Sequence, residues 1–364
     1  MKLAPAIERR LVRIGWRSMA LPQDAPAGAG VARVIAQHRA GYQLHDGEIA
    51  FNAQPAPRFL KPGIPSAERP AVGDFVLVTG DVSHGGKPPR IERVLPRRSE
   101  LARAASGERH ERQIIAANVD TVFVISGLDG DFNPARIERY LMLVADSGAR
   151  AVAVLTKADT ASDVEQASAE LRARLPADIE VLTVNAKSAQ SIQPMQKYLE
   201  AGHTAVLVGS SGAGKSTLTN SLLGDARQAT AEVRAHDSRG RHTTTHRALI
   251  MLPTGGCLID TPGMREIKPT GNEDIGEGQF ADIEALAAEC RFGDCNHGSE
   301  PGCAVREAID DGRLDPARWR NYQKLRNELA AAADSMEAQL RRKGEVRMPT
   351  RTLDRRLAEK YGER

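Results

Sequence analysis

The apolar run Thr204-Ala-Val-Leu-Val208 leads directly into Gly209-Ser210-Ser211-Gly212-Ala213-Gly214-Lys215-Ser216, and the helix-forming segment STLTNSLLG comes next. No other feature constrains the fold so strongly. The pattern G-x-x-x-x-G-K-[ST] has this meaning only where a buried strand ends in a tight turn that opens a helix, and that context is present. The glycines let successive backbone N–H groups, with those of Ser210, Ser211, Ala213 and Thr217, wrap a polyphosphate where the helix dipole favours negative charge. Lys215 then reaches the β- and γ-phosphates, and the Ser216 hydroxyl ligates Mg²⁺.

The same region supplies the rest of a nucleotide site. Asp260-Thr261-Pro262-Gly263 closes the strand GCLID. Its acid is placed to hold Mg²⁺ through water, and the Gly263 N–H to sense a γ-phosphate. Thr156-Lys157-Ala158-Asp159 comes after the strand AVAVL, and Asn185-Ala186-Lys187 after IEVLTV. The Asp159 carboxylate matches the paired N–H donors of guanine, an edge adenine lacks, and the Lys157 stem can cover the base. The Ala186 N–H can reach the guanine O6. Thr156 and Asn185 stand where such sites usually carry Asn and Ser; losing the first amide is expected to lower affinity. Both guanine elements precede the phosphate loop, whereas the ordinary order places them after it. The expectation is therefore a circularly permuted GTPase, in which the segment after Gly263 runs straight into the C-terminal region.

Strands alternate with helical stretches from Ile114 onward: VDTVFVIS, Pro134–Ser147, AVAVLT, Val164–Arg174, IEVLTV, HTAVLVG, the helix from Lys215, RALIML and GCLID. This predicts a doubly wound α/β sheet. Before it, VARVIA, YQLHD, EIAFN, FVLVTG and RIERVL are short β-type segments punctuated by Gly, Pro and Asp, which predicts a small antiparallel barrel. An oligonucleotide-binding (OB) barrel and an SH3-like barrel give the same pattern. Residues 1–29 read as a short basic amphipathic helix and then a Pro/Gly/Ala linker or disordered arm. The chain is expected to be helical again after about Phe280. There Cys290, Cys295, His297 and Cys303 form C-x₄-C-x-H-x₅-C, a donor set suited to one structural, tetrahedral Zn²⁺. Cys257, inside GCLID, reads as a small buried hydrophobe.

The hydrolytic step depends on the residues downstream of the phosphate loop. Met264 occupies the place of a water-orienting Gln and cannot polarise water, so slow intrinsic hydrolysis is expected. Gly240-Arg241-His242-Thr243-Thr244-Thr245 reads as a polar first switch. Thr243 or Thr244 would close on Mg²⁺ and the γ-phosphate, and His242 could orient water once a partner orders the loop.

With 364 residues, two or three domains are expected. No stretch of the sequence approaches a membrane span or a secretory signal, and four cysteines fit a reducing cytoplasmic compartment. Net charge is only +3, but residues 341–364 carry nine Lys or Arg against four acids, and residues 87–112 carry eight against four. The basic tail is expected to be mobile until bound.

Taken in order, VGDFVLV…RIERVLPRRSELAR, IAANVDTVFVIS, GSSGAGKST, GRHTTT, DTPGMRE, CRFGDCNHGSEPGCAV and YQKLRNEL closely resemble the ribosome small subunit-dependent GTPase family, RsgA. The resemblance implies an OB-fold RNA-binding domain over 30–113, a permuted GTPase domain over 114–279 and a helical zinc-binding domain over 280–345. A basic N-terminal extension (1–29) and a basic tail (346–364) flank them. It also implies GTP hydrolysis stimulated by the small ribosomal subunit during late maturation, rRNA binding in the GTP state, and a catalytic role for His242. A monomer is expected. Two rivals remain. One is a large-subunit permuted GTPase, which would lack the barrel and the cysteine cluster. The other is an RNA-binding protein that uses nucleotide only as a sensor.

Overall fold

The computed structural model describes residues 3–17, 19, 21–38, 41–61, 63–80, 88–104, 112–224, 247–260 and 279–334. Five of the expected strands close into a barrel: β1 (Gly30–His38), β2 (Gly41–His45), β3 (Ala50–Pro55), β4 (Phe75–Thr79) and β5 (Arg90–Val94). They pair in the order β1-β2-β3-β5-β4 and back to β1, with β3–β5 the parallel pair. Alternation along each strand divides the apolar residues between two faces. Ala32, Val34, Leu44, Val76, Val78 and Ile91 fill the barrel interior. Val31, Phe75 and Leu77 point the other way.

That second face corrects the reading of the N-terminal arm. Helix α1 (Pro5–Val12) and the residues after it are packed on the barrel, with Leu11, Ile14, Trp16 and Leu21 buried against Val31, Phe75, Leu77 and Leu95. Trp16 meets the Phe75 ring edge-on at 4.9 Å. Proline and glycine content made residues 21–30 look like linker, but an apolar outer barrel face must be covered, and the arm covers it.

β6 (Glu100–Ala104) and β7 (Arg112–Ala117) form a separate two-stranded ladder after the barrel. Asn118, with φ 53°, breaks the chain between β7 and the α/β sheet. The sheet comprises β8 (Thr121–Gly127), β9 (Arg150–Thr156), β10 (Glu180–Thr183), β11 (Thr204–Gly209), β12 (Ala248–Met251) and β13 (Cys257–Asp260), in the order β10-β9-β8-β11-β13-β12. All neighbours are parallel except β12 and β13. The chain enters in the middle at β8 and runs outward through α2 (Pro134–Ala145), β9, α3 (Val164–Arg174) and β10. It returns to β11 beside β8, then continues through α4 (Lys215–Leu223) to the other edge. The order of elements is permuted, yet the carboxyl ends of β8, β9, β10, β11 and β13 share one edge.

Successive residues of β8 feed opposite cores, as expected of a strand buried on both faces. Val122 and Val124 join the core that includes α2, whereas Phe123 and Ile125 join the one that includes Leu218 and Leu223 of α4. Helices Ala281–Ala288, Ala304–Asp310 and one spanning 316–334 pack on the α2 side through Phe280, Ile283, Val305, Trp319, Tyr322 and Leu325. Glu138 of α2, fully buried, fastens the seam. It accepts hydrogen bonds from Arg174 at 2.9 Å, Arg318 at 2.7 Å and Asn321 at 2.6 Å.

The barrel and the α/β sheet are joined around Arg33, a guanidinium with no solvent exposure. It donates to the carbonyls of Ile14 (2.5 Å), Gly73 (3.0 Å) and Asn118 (3.1 Å) and to the Thr204 hydroxyl (2.8 Å). One side chain thus ties the N-terminal arm, the barrel, the connecting segment and β11.

Candidate nucleotide and metal sites

The carboxyl ends of β8 and β11 lie side by side at the middle of the sheet, where helices depart to opposite faces, the usual ligand crevice of an open α/β sheet. Gly209 closes β11 with φ 144°, and a Cβ there would stand 2.2 Å from the Ile125 carbonyl oxygen. Gly212 (φ 81°) and Gly214 (φ 90°) adopt left-handed conformations, and Gly214 caps the N-terminus of α4. Left-handed glycines with a helix N-terminus directly after them are the backbone features of an anion-binding turn. The Lys215 ammonium donates to the carbonyls of Gly209 (2.8 Å) and Ser210 (2.6 Å), so it lies along the loop itself. Ser216 lies in the first turn of the same helix, and Asp260 ends β13, the neighbour of β11.

Thr156 and Asn185 behave differently from what side-chain bookkeeping suggests. Thr156 is fully buried, and its hydroxyl donates to the Ala213 carbonyl of the phosphate loop at 2.6 Å. The hydroxyl thus ties the Thr156–Asp159 element to the Gly209–Ser216 loop. The Asn185 carboxamide oxygen accepts from the Lys187 N–H at 2.9 Å, which shapes the turn around Ala186. Ser221 of α4 donates to the Ala186 carbonyl at 2.5 Å. Asp159 is exposed at the rim, and Lys157 holds φ 61°. Thus Thr156, Lys157, Asp159, Asn185–Lys187, Gly209–Thr217 and Asp260 converge on one edge, contributed by four strands. Gly240–Thr245, Gly263, Met264 and the tail 341–364 lie outside the described residues.

The phosphate loop between central parallel strands, with the guanine elements arriving first in the chain, meets a family model described as RsgA GTPase, which matches residues 94–270. A protein of Xanthomonas axonopodis pv. citri named small ribosomal subunit biogenesis GTPase RsgA is 52% identical over 95% of this chain and 96% of its own length. Its namesake in Xanthomonas euvesicatoria pv. vesicatoria is 53% identical over 93% of this chain and 92% of its own length. The chain belongs to the RsgA family of GTPases.

Among solved structures, that of YjeQ from Thermotoga maritima matches with a TM-score of 0.60 at 25% identity, covering 83% of this chain and 99% of YjeQ. YloQ, described as a circularly permuted GTPase, shares the fold with a TM-score of 0.55 at 23% identity, over 86% of this chain and 98% of its own. Family membership makes this chain an enzyme and removes the sensor-only rival. The large-subunit rival is disfavoured by the barrel and by the geometry of the cysteine cluster.

Cys290, Cys295, His297 and Cys303 place their ligand atoms within 4.8 Å of one another. The His297 Nδ1 lies 3.5 Å from the sulfurs of both Cys290 and Cys303, which are 4.0 Å apart. A tetrahedral Zn²⁺ with bonds of about 2.3 Å to sulfur and 2.0–2.1 Å to nitrogen implies S···N near 3.6 Å and S···S near 3.8 Å. The donor set fits. His297 takes φ 57° to turn its ring inward, and the ring meets Trp319 edge-on at 5.3 Å. Chelation is therefore expected to change Trp319 fluorescence in a Trp16→Phe background and to loosen residues 279–334. One equivalent of zinc by elemental analysis should restore both; a protein without tightly held metal and indifferent to chelator would refute this.

Sequence reasoning missed Asp129 and Asp131, which lie just after β8 and beside the Gly209–Ser216 loop. Lys157 bonds the Asp129 carboxylate and holds its pKa below the ordinary carboxylate value. Asp131 accepts from Arg136 at 2.6 Å and from the phosphate-loop hydroxyl of Ser210 at 2.9 Å, and both bonds lower its pKa. The available signal was positional: an acidic turn, Leu128-Asp-Gly-Asp131, at the carboxyl end of a central parallel strand. Cys257, as expected, is a fully buried thiol whose pKa burial pushes up.

Proposed function

We propose that this GTPase acts in late maturation of the small ribosomal subunit, as a cytoplasmic monomer. It binds small-subunit rRNA in the GTP state and leaves when the subunit stimulates hydrolysis. The observation that carries the reading is the 52% identity, over nearly the whole of both chains, with a protein named for small-subunit biogenesis. The 1-2-3-5-4 closed order of the N-terminal barrel, with its single parallel pair, supports an OB-fold over 30–113. In this reading the barrel and a zinc-bearing helical domain over 280–345 grip rRNA through phosphates and shape.

Within the GTPase domain, over 114–279, Asp159 reads the guanine edge, and Lys157 and the Asn185–Lys187 turn frame the base. Gly209–Thr217 cradle the phosphates. Ser216, Asp260 and one of Thr243 or Thr244 hold Mg²⁺, which would neutralise charge developing on the phosphates. Gly263 senses the γ-phosphate, and His242 orients the attacking water. GTP turnover by the purified chain should be slow alone and rise about a hundredfold or more with small subunits only; arginine supplied in trans gives effects of 10³–10⁵ in other GTPases. His242→Ala should then abolish the stimulation while GTP still binds. Equal stimulation by large subunits, or none by either, would overturn the reading.

A further inference from the structure

At the amino ends of the sheet strands, opposite the nucleotide crevice, the barrel–GTPase junction carries a groove of about 570 Å³. Four cations line it from four separate places in the chain: Arg17 from the N-terminal arm, Arg98 after the barrel, Arg150 at the start of β9, and Lys197 just before β11. Two carboxylates face them. Asp120 is shared by Arg17 (3.1 Å), Arg98 (3.0 Å) and the Thr204 N–H (2.8 Å). Glu180 is shared by Lys197 (2.8 Å) and Arg150 (3.9 Å). Among the described residues, four positive charges against two negative ones leave a surplus of two in a concave site, where low-dielectric walls focus the field.

Such a surplus repels itself unless an anion answers it. A single small anion fits poorly, because the charges are spread along a groove rather than converging on one point. A second groove of about 710 Å³ shares Arg98, Ser99 and Gly148 with it. There Arg93 pairs with Asp24 and Arg97 with Asp74 and Glu100, and Glu68 and Asp146 also line the wall beside Arg58, so the surplus sits in the first groove. The Arg150 and Lys197 side chains are 57% and 55% exposed, so both can leave Glu180 for a better anion.

We infer that this groove binds the phosphate backbone of RNA, as a contact surface separate from the barrel face and the zinc-bearing region; the inference rests on the small-subunit reading. Backbone recognition requires spaced, mobile cations rather than base-reading groups. The N-terminal arm enters the function through Arg17, which it can present only because it is packed on the barrel.

The test compares the full chain, bound to a non-hydrolysable GTP analogue, with its Arg150→Gln/Lys197→Gln double variant for binding to purified small subunits at about 50–200 mM salt. Losing two phosphate contacts should weaken binding about tenfold or more and reduce the slope of log K against log salt by about 1.4–1.8. Intrinsic GTP hydrolysis should be unchanged, because neither residue lies at the nucleotide edge. Glu180→Gln should move affinity the other way by freeing both cations, which keeps the test decisive if the double variant folds poorly. Unchanged affinity and slope in the double variant, or weaker binding with an unchanged slope, would overturn the groove alone. A wild-type chain that hydrolyses GTP but binds no small subunit would overturn the small-subunit reading itself.

Discussion

Replacing Lys215 with alanine is expected to lower GTP hydrolysis by two orders of magnitude or more, while leaving the fold intact. The ammonium is the one strongly cationic group on the phosphate loop, and it lies along the Gly209 and Ser210 carbonyls, where its reach covers the phosphate crevice. Removing one preorganised donor from a developing anion costs about 10²–10³ in rate elsewhere. The loop itself depends on other things: the left-handed glycines, the Thr156 hydroxyl on the Ala213 carbonyl and the close approach of Gly209 to Ile125. Circular dichroism and thermal melting should therefore be close to wild type. Hydrolysis within a few-fold of wild type, measured with small subunits present, would show that Lys215 does not touch the transferred phosphate.

The second large effect is structural. Arg33→Met should destabilise the protein by about 3–5 kcal/mol, a large part of the 5–15 kcal/mol typical of a domain. Burial disfavours the guanidinium and lowers its pKa, yet four hydrogen bonds at about 1.5–3 kcal/mol each for a charged donor outweigh a desolvation penalty of several kcal/mol. Methionine keeps most of the volume but strands acceptors on four segments. Arg33→Lys should fail nearly as badly, because one ammonium cannot span them. Urea unfolding monitored by Trp16 fluorescence would check this, since that indole lies on the Phe75 ring over which the Arg33 guanidinium sits, 4.9 Å from its centre. A midpoint within about 1 kcal/mol of wild type would show that the junction is held by the apolar contacts instead.

These two residues mark the boundary of what a sequence can be made to say. The turn that carries Lys215 was legible because it is set within eight residues: the glycines, the strand before them and the helix after them are adjacent in the chain. The cluster of Cys290, Cys295, His297 and Cys303 was legible for the same reason, as all four fall between 290 and 303. The permuted sheet could also be read, because a strand buried on both faces is an unbroken apolar run and the order of such runs is the order of the sequence. Nothing within VARVIA marks Arg33 as more than one polar residue in a short β-type segment. It is buried because the partners it bonds lie as far off as Thr204, 171 residues away.

The same distance hid the packing of Trp16 on Phe75, the Thr156 tie to the phosphate loop and the Asp131 bond to Ser210. It also hid the groove that gathers Arg17, Arg98, Arg150 and Lys197. Motifs whose chemistry is satisfied by near neighbours were decided by the sequence alone. Polar and charged side chains whose partners come from other segments acquired their roles only when the barrel, the arm and the sheet closed on one another, because a hydrogen bond is decided by position in space and carries no local periodicity.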